Sequence, residues 1–470
     1  MSGSPGLAVG TVVRLGVTVR RFAEGRLLFG GSPTRLLKLR PAAAAILGDT
    51  GEFTVSDAVT ANLAGSLLGL GLAQIASAGE SVPLDQLTVV VPVHDSPHAL
   101  RRLLAGLTGV RVVVVDDASP DSLAHAEVAK EFDATLVRLE VNAGPAAARN
   151  LGLRTVTTSF VAFCDADTAL SADELQRLLP QFADPRVVAV APRILGLEGS
   201  DANWITRYEN TRSSLDLGPT SAVVQPLSRV GWVPAACLLA RADALGSGFD
   251  ESMRVGEDVD LIWRLTRNGS LVRYVADVTV RHEHRRTPGP WLTRKYLYGT
   301  SAAPLADRHG EQVAPAVLPP ALALAAAGLL LQNRWATMLS AIAFLTHARH
   351  IHHRLRSVEA PPQLHAELTA RAATDTLGQI AALLLRHWFP ITVLALPFSG
   401  RVRRAAAAAI VVDTITELRS HPPSGDPATH LLARRLDDAA YGLGVWRGAL
   451  RQRSPKCLLP HITRPRRGTE

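Results

Sequence analysis

Asp165 and Asp167 stand one residue apart where the apolar run Phe160-Val161-Ala162-Phe163-Cys164 ends. On an extended backbone, side chains two apart project to the same side. Two carboxylates on one side repel each other and suit a hard divalent cation, Mg²⁺ or Mn²⁺. A cation gripped there would in turn hold a diphosphate. The plain alternative is a strand ending in a solvated acidic turn. The run reads as a strand buried on both faces, and open α/β sheets bind ligands at the carboxyl ends of such strands.

The elements before this pair decide between the two. Thr88-Val89-Val90-Val91-Pro92-Val93 reads as a buried strand with His94-Asp95 at its end. A helix over residues 97–107 leads to the strand Val110-Arg111-Val112-Val113-Val114-Val115 and then to Asp116-Asp117-Ala118-Ser119. A helix over 122–132, a strand over 135–139 and a helix entered through Asn142-Ala143-Gly144 continue the alternation. It predicts an α/β fold with a parallel sheet and helices on both sides. Successive strand ends thus carry Asp95, Asp116 with Asp117, and Asp165 with Asp167. Right-handed crossovers bring such ends to one edge. Like charges there oppose folding, and a metal with hydrogen-bonding ligand groups would offset that.

The series continues beyond the central pair. Pro92-Val93-His94-Asp95, Asp116-Asp117-Ala118-Ser119, Asn142-Ala143-Gly144 with Ala148-Arg149-Asn150, and Asp165-Ala166-Asp167 are followed by Gly248-Phe249-Asp250-Glu251 and Gly256-Glu257-Asp258-Val259-Asp260-Leu261. In order and spacing this set resembles the motifs of family 2 glycosyltransferases with a GT-A, Rossmann-like fold, over residues 87–300. The resemblance implies a UDP-sugar donor. It implies that Pro92 and Asp95 line the uracil pocket, that Asp117 binds the base or ribose, and that Arg149 lies near the diphosphate. It makes Asp165 and Asp167 the metal pair at the donor, because the leaving nucleoside diphosphate carries the charge that develops in the transition state. It also implies an inverting displacement in which the Glu257-Asp258 motif supplies the general base. Asp258 is the candidate base, with Glu257 beside it at the substrate. A carboxylate close to other carboxylates tends toward a raised pKa, which suits a base near neutral pH. Both acids would equally favour the N-terminal dipole of the helix they open. In the family a histidine in the place of Val280-Arg281-His282-Glu283-His284 can complete the metal shell. That makes His282 a candidate ligand, with a surface or core histidine as the alternative. The Gln-x-x-Arg-Trp motif of processive cellulose-synthase-type enzymes does not follow.

Composition sets the surroundings. The chain has 470 residues, 47% hydrophobic and 20% charged, with a formal net charge of +8. Its pI is about 9.9 and its mean hydropathy +0.13. The length allows two or three domains. The basic balance suits nucleotide sugars or phospholipid surfaces. No basic stripe interleaved with aromatics and no zinc-finger spacing occurs, which argues against nucleic acid. Cys164, Cys237 and Cys457 lie too far apart for a disulfide framework or a structural zinc site. The first thirty residues lack an apolar core followed by a small-residue cleavage site, so the catalytic part is expected in the cytosol.

Residues 1–80 read as a separate small α+β unit of short strands and helices, with Thr54-Val55-Ser56-Asp57 opening one helix. Their pattern resembles the winged-helix-like, PqqD-like peptide chaperones, and a packing extension is the alternative. Residues 304–470 read as helical. The apolar runs 316–331, 335–346 and 380–398 are short or interrupted, below the roughly 20 residues of a clean span. Arg349-His350-Ile351-His352-His353-Arg354 and Arg401-Val402-Arg403-Arg404 flank them and favour the cytoplasmic face of a membrane. In-plane or re-entrant helices are expected, with a soluble helical domain as the alternative. The three-part layout resembles the glycosyltransferases of mycofactocin systems. That implies glucose as the sugar and a peptide-derived redox cofactor as the small-molecule acceptor. A lipid or cell-wall acceptor is a second reading. A non-catalytic nucleotide-sugar-binding protein is a third, against which the intact carboxylates speak.

Overall fold

Leu87–Val93, Arg111–Asp116 and Phe160–Cys164 are strands buried over most of their length, as apolar β-branched runs must be when a sheet is covered on both faces. The computed structural model describes residues 6–79, 82–197, 199, 202–267 and 269–463. The chain divides into two compact units, Met1–Ser200 with Ser213–His284, and Asp201–Arg212 with Arg285–Glu470.

The first unit is built on a nine-stranded sheet. Its order is Thr168–Ala169, Leu271–His282, Val187–Gly196, Cys237–Arg241, Phe160–Cys164, Leu87–Val93, Arg111–Asp116 and Thr135–Arg138, with Ala222–Val223 paired to Leu271–His282. The last four strands are mutually parallel. Cys237–Arg241 runs antiparallel to both of its neighbours, so the sheet is mixed rather than parallel throughout. The strand–helix alternation that predicted a parallel sheet stops at Cys164. Leu271–His282 is one strand of 12 residues, and it carries His282 at its end. Leu87, Val89, Val91 and Val93 pack with Leu100, Leu103 and Leu104 of the helix Pro97–Gly106 on one face. On the other face the helix Pro145–Thr155 comes so close that a Cβ on Gly152 would stand 2.3 Å from a Val90 methyl.

The N-terminal stretch has its own sheets and its own core, and by contacts it groups with the catalytic sheet. Val12–Leu15 pairs antiparallel with Glu52–Thr54 and Ala73–Ser77, and Leu27–Gly30 lies between Arg20–Phe22 and Arg35–Lys38. Asp57 caps the helix Ala58–Gly69 through the Thr60 N–H at 2.8 Å. Side chains from the catalytic sheet and from the segment leading into its strand Val187–Gly196 satisfy the backbone of this small fold. Arg273 donates to the Ala73 carbonyl at 2.7 Å, Gln181 to that of Ile75 at 3.0 Å and Arg186 to that of Gly65 at 2.8 Å. Buried polar groups must be paired, and these pairings join the two folds into one unit.

The second unit is helical. By contacts it takes in residues from Arg285 onward together with Trp204–Arg212 from within the catalytic stretch. Pro288–Thr300 and Pro427–Gln452 touch at backbone distance: a Cβ on Gly299 would lie 2.1 Å from the Tyr441 carbonyl oxygen, and one on Gly444 2.0 Å from that of Tyr296. Among the described residues no single helix is long and apolar enough to cross a membrane. One pair, Pro362–His387 with Phe389–Ala395, meets the criterion together and is bent by 81°.

Candidate active site

The parallel strands end on one edge, and the loops there carry most of the expected residues. Pro92 lies in Leu87–Val93, and Asp95 follows that strand with φ +54°. Ala118, after the next strand, has φ +56°. Such values are uncommon for residues with a Cβ and concentrate where a site dictates the turn. The two turns are tied together. The Asp95 N–H donates to Ser119 Oγ at 3.0 Å, and the Asp117 N–H donates to the Val93 carbonyl at 2.9 Å. Asp117 is buried, and its two oxygens accept the N–H groups of Ala143 (2.8 Å) and Gly144 (2.9 Å). Asp117 thereby fixes the loop that opens the helix Pro145–Thr155. Asp116 is fully buried and pairs with Arg138. The repulsion expected along the acidic edge is therefore relieved, at these positions, by the protein's own donors.

The central pair sits differently from the extended geometry. The strand ends at Cys164, and Asp165 to Thr168 form a turn in which the Asp165 carbonyl accepts the Thr168 N–H (3.0 Å) and Oγ1–H (2.7 Å). The two carboxylates go to different partners. Asp165 accepts from Arg149 Nη2 at 2.7 Å. Asp167 lies 3.3 Å from His282 Nε2, because Thr168 and His282 are register partners in adjoining strands. Among the described residues no three His, Cys, Asp or Glu side chains converge as a metal site. The donor types fit a hard cation. Asp167 and His282 are already adjacent, whereas Asp165 is engaged by Arg149.

Arg149 is the hub. It is 4% exposed, its Nη1 donates to Glu257 at 2.8 Å, and its guanidinium lies 5.2 Å from the centre of the Phe249 ring. In this structure it faces carboxylates of the protein, where the resemblance implied the diphosphate. Glu257 and Asp258 open the helix Glu257–Thr266 behind Gly256, which holds the left-handed φ of +83°. Asp258 accepts the N–H of Val259 at 2.8 Å. Burial, and then the charge of Glu257, push the Asp258 carboxyl up to about 7, against the opposing pull of Arg149.

Three residues at this edge went unmarked by sequence reasoning. Asn150 accepts the Phe249 N–H and donates to the Phe249 carbonyl, both at 2.8 Å, locking the Gly248-Phe249-Asp250-Glu251 motif to the Arg149 helix. His94 Nδ1 lies 2.9 Å from the Asp117 carbonyl. Arg254 is exposed and donates to the Asn142 side chain and carbonyl, both at 3.2 Å. Asn150 stood inside a quoted motif, but its partner is 99 residues away.

A model of glycosyl transferase family 2 matches residues 88–231, and one of glycosyl transferase family group 2 matches residues 160–412. The pre-mycofactocin glycosyltransferase of Mycobacterium tuberculosis is 39% identical over 463 residues, covering 96% of this chain and 98% of that protein. The succinoglycan biosynthesis protein ExoU of Rhizobium meliloti is 29% identical over 38% of this chain and 55% of its own length. Among solved structures, the mannosyltransferase PcManGT from Pyrobaculum calidifontis, in complex with GDP-Man and Mn²⁺, is 21% identical, with a TM-score of 0.36, covering 72% of this chain and 89% of that one. The family 2 match over residues 88–231 and a relative 39% identical over nearly the whole length identify this chain as a member of glycosyl transferase family 2, a glycosyltransferase with a GT-A core.

Proposed function

We propose that the chain transfers a hexose, glucose in the first instance, from a UDP-sugar to a peptide-derived redox cofactor of the mycofactocin type, with inversion at the anomeric carbon. The likeness to the pre-mycofactocin glycosyltransferase over 96% of the chain supports the acceptor class. The single observation that carries the chemistry is the placement of Asp258, a half-buried carboxyl beside Glu257 in the first turn of the helix Glu257–Thr266, where its pKa is pushed up to about 7. A base needs an operating pKa near the working pH.

In this mechanism Asp258 accepts the proton of the acceptor hydroxyl. The hydroxyl oxygen forms a bond to the anomeric carbon from the face opposite the diphosphate. The bond from that carbon to the diphosphate oxygen breaks, and its electron pair leaves with UDP. Asp167 and His282, with Asp165, would hold Mg²⁺ or Mn²⁺, which supplies positive charge to the departing diphosphate. Arg149 holds Glu257 and Asp165 in place through its two Nη atoms. Pro92, Asp95 and the loop held by Asp117 would receive the uridine, and exposed Arg254 stands ready beside that loop.

The catalytic part is proposed to work at the cytoplasmic face of the cell membrane. Trp335, Met338, Leu339, Ile342 and Leu345 are exposed along the helix Arg334–Arg356, and Leu394 and Phe398 are more exposed still. A monomer in water rarely presents such a series, and the basic flanks suit an anionic leaflet. The same surface is what favours a lipid-linked acceptor as the second reading.

Incubation with UDP-glucose, Mn²⁺ and the candidate acceptor tests the proposal. The expected result is an acceptor heavier by one or more hexose units together with free UDP, both lost on chelation. An acceptor of unaltered mass contradicts the assignment. Labelled sugar appearing in the organic extract instead favours the lipid acceptor.

A further inference from the structure

The helices Arg334–Arg356 and Pro362–Ala382 enclose an open groove of about 770 Å³. Its walls are apolar, running from Phe344 and Leu345 on one helix to Ala370 on the other. Its end towards the turn between the helices carries Arg349, His352, His353 and His365. None of the residues lining it is acidic. His352 and His365 approach to 2.8 Å through their Nδ1 atoms, and Nε2 of His365 is buried with no hydrogen-bond partner among the described residues. A buried polar atom without a partner is unusual in a folded chain. Desolvation, followed by the nearby His365, Arg356 and His353, lowers the pKa of His352, so the fixed positive charge at this end is that of Arg349, with the imidazoles as hydrogen-bonding groups beside it. The site therefore asks for an amphiphile with an apolar body and an anionic head.

Length narrows the class. The exposed residues Trp335, Met338, Leu339 and Ile342 repeat at helical spacing and lead into the groove through Leu345. At about 1.5 Å per residue this stripe runs for about 15 Å, half of the roughly 30 Å hydrocarbon core of a bilayer. That is the depth of one leaflet.

We propose that this groove binds one anionic phospholipid of the membrane surface, its phosphate between Arg349 and the histidines and an acyl chain along the Leu345 wall. The inference rests on the membrane reading above and adds a specific lipid site to it.

The test uses the full chain and two kinds of vesicle, phosphatidylcholine alone and phosphatidylcholine with a minority of phosphatidylglycerol, with bound protein read by sedimentation. Wild type is expected to bind both and to prefer the anionic vesicles, with roughly fivefold for each basic side chain that meets the surface. Arg349→Gln/His365→Gln should lose that preference and keep its binding to phosphatidylcholine. Ala370→Trp, which fills the groove and leaves every charge in place, should do the same. Arg401→Gln/Arg403→Gln, on the other basic flank, should reduce the preference by less than the groove variants do. Unchanged thermal melts show that the variants fold. If the groove variants keep the full preference, or only the Arg401/Arg403 variant loses it, the lipid site is wrong while the membrane reading stands. If wild type binds neither vesicle, the membrane reading falls and the site with it. A dimer in vesicle-free solution that Ala370→Trp splits would assign the groove to a second copy and overturn the proposal.

Discussion

Two buried clusters of charge, one in each unit, use the same residue types to opposite ends. In the helical unit, Arg212, Lys295, Arg386, Arg434 and Arg435 face Glu209, Asp413, Glu417, Asp437 and Asp438. Five bases meet five acids, and single side chains bridge several partners: Arg434 reaches Asp438 at 3.0 Å and Asp413 at 3.3 Å. Burial raises the pKa of Asp437, yet Lys295, Arg386 and Arg434 together hold it well below the carboxylate range. In the catalytic unit, Arg149 alone serves Asp165 and Glu257, and Asp258 beside them is pushed up to about 7. A balanced cluster is complete and acts as a joint between helices. An acid-rich one is left reactive, ready for a proton and for a cation.

Removing one acid from each cluster should separate them most sharply. Asp258→Asn is expected to lower kcat by roughly 10²–10⁴-fold, the range for loss of a general base. It should not weaken the fold. An unfolded aspartate titrates near 4, whereas folded Asp258 keeps its proton to about pH 7. Ionising it therefore costs stability progressively as pH rises from about 4 through 7. The asparagine lacks that cost, so the variant should melt higher than wild type at pH 8 and level with it near pH 3.5. A lower melting temperature at pH 8 would contradict the comparison. Asp438→Asn in the balanced cluster should do the reverse. It leaves Arg386, Arg434 and Arg435 short of a partner, and denaturant unfolding should show a loss of about 3–5 kcal/mol. Smallest is the exposed pair Arg101–Glu131, where both side chains are nearly half exposed. Arg101→Ala should change stability by no more than roughly 0.5 kcal/mol.

Much of the catalytic edge was legible before any coordinates. Helices over 97–107 and 122–132 and the strand between them lie within a residue or two of expectation, because period-two and period-3.6 patterns are local. The acidic strand ends were legible for the same reason. What those acids touch was not. Glu257 meets Arg149 across 108 residues and Asn150 meets Phe249 across 99, and no spacing rule spans such gaps. The turn at Asp165 stood only as the alternative reading, because Asp-Ala-Asp suits a strand end and a turn equally. The helix Trp204–Arg212 was missed as part of the second unit. Its signal lies in Tyr208 and Glu209, which are buried against Asp437 and Lys295 far along the chain.

The pH dependence of kcat/KM tests most directly whether the unbalanced cluster sets the base. For wild type the rate should rise with pH along an acid limb centred near 7 and then level off. Glu257→Gln removes the like charge that helps to hold Asp258 up, so the limb should move to lower pH. A wild-type limb centred near 4, or a limb that Glu257→Gln leaves in place, would contradict the account.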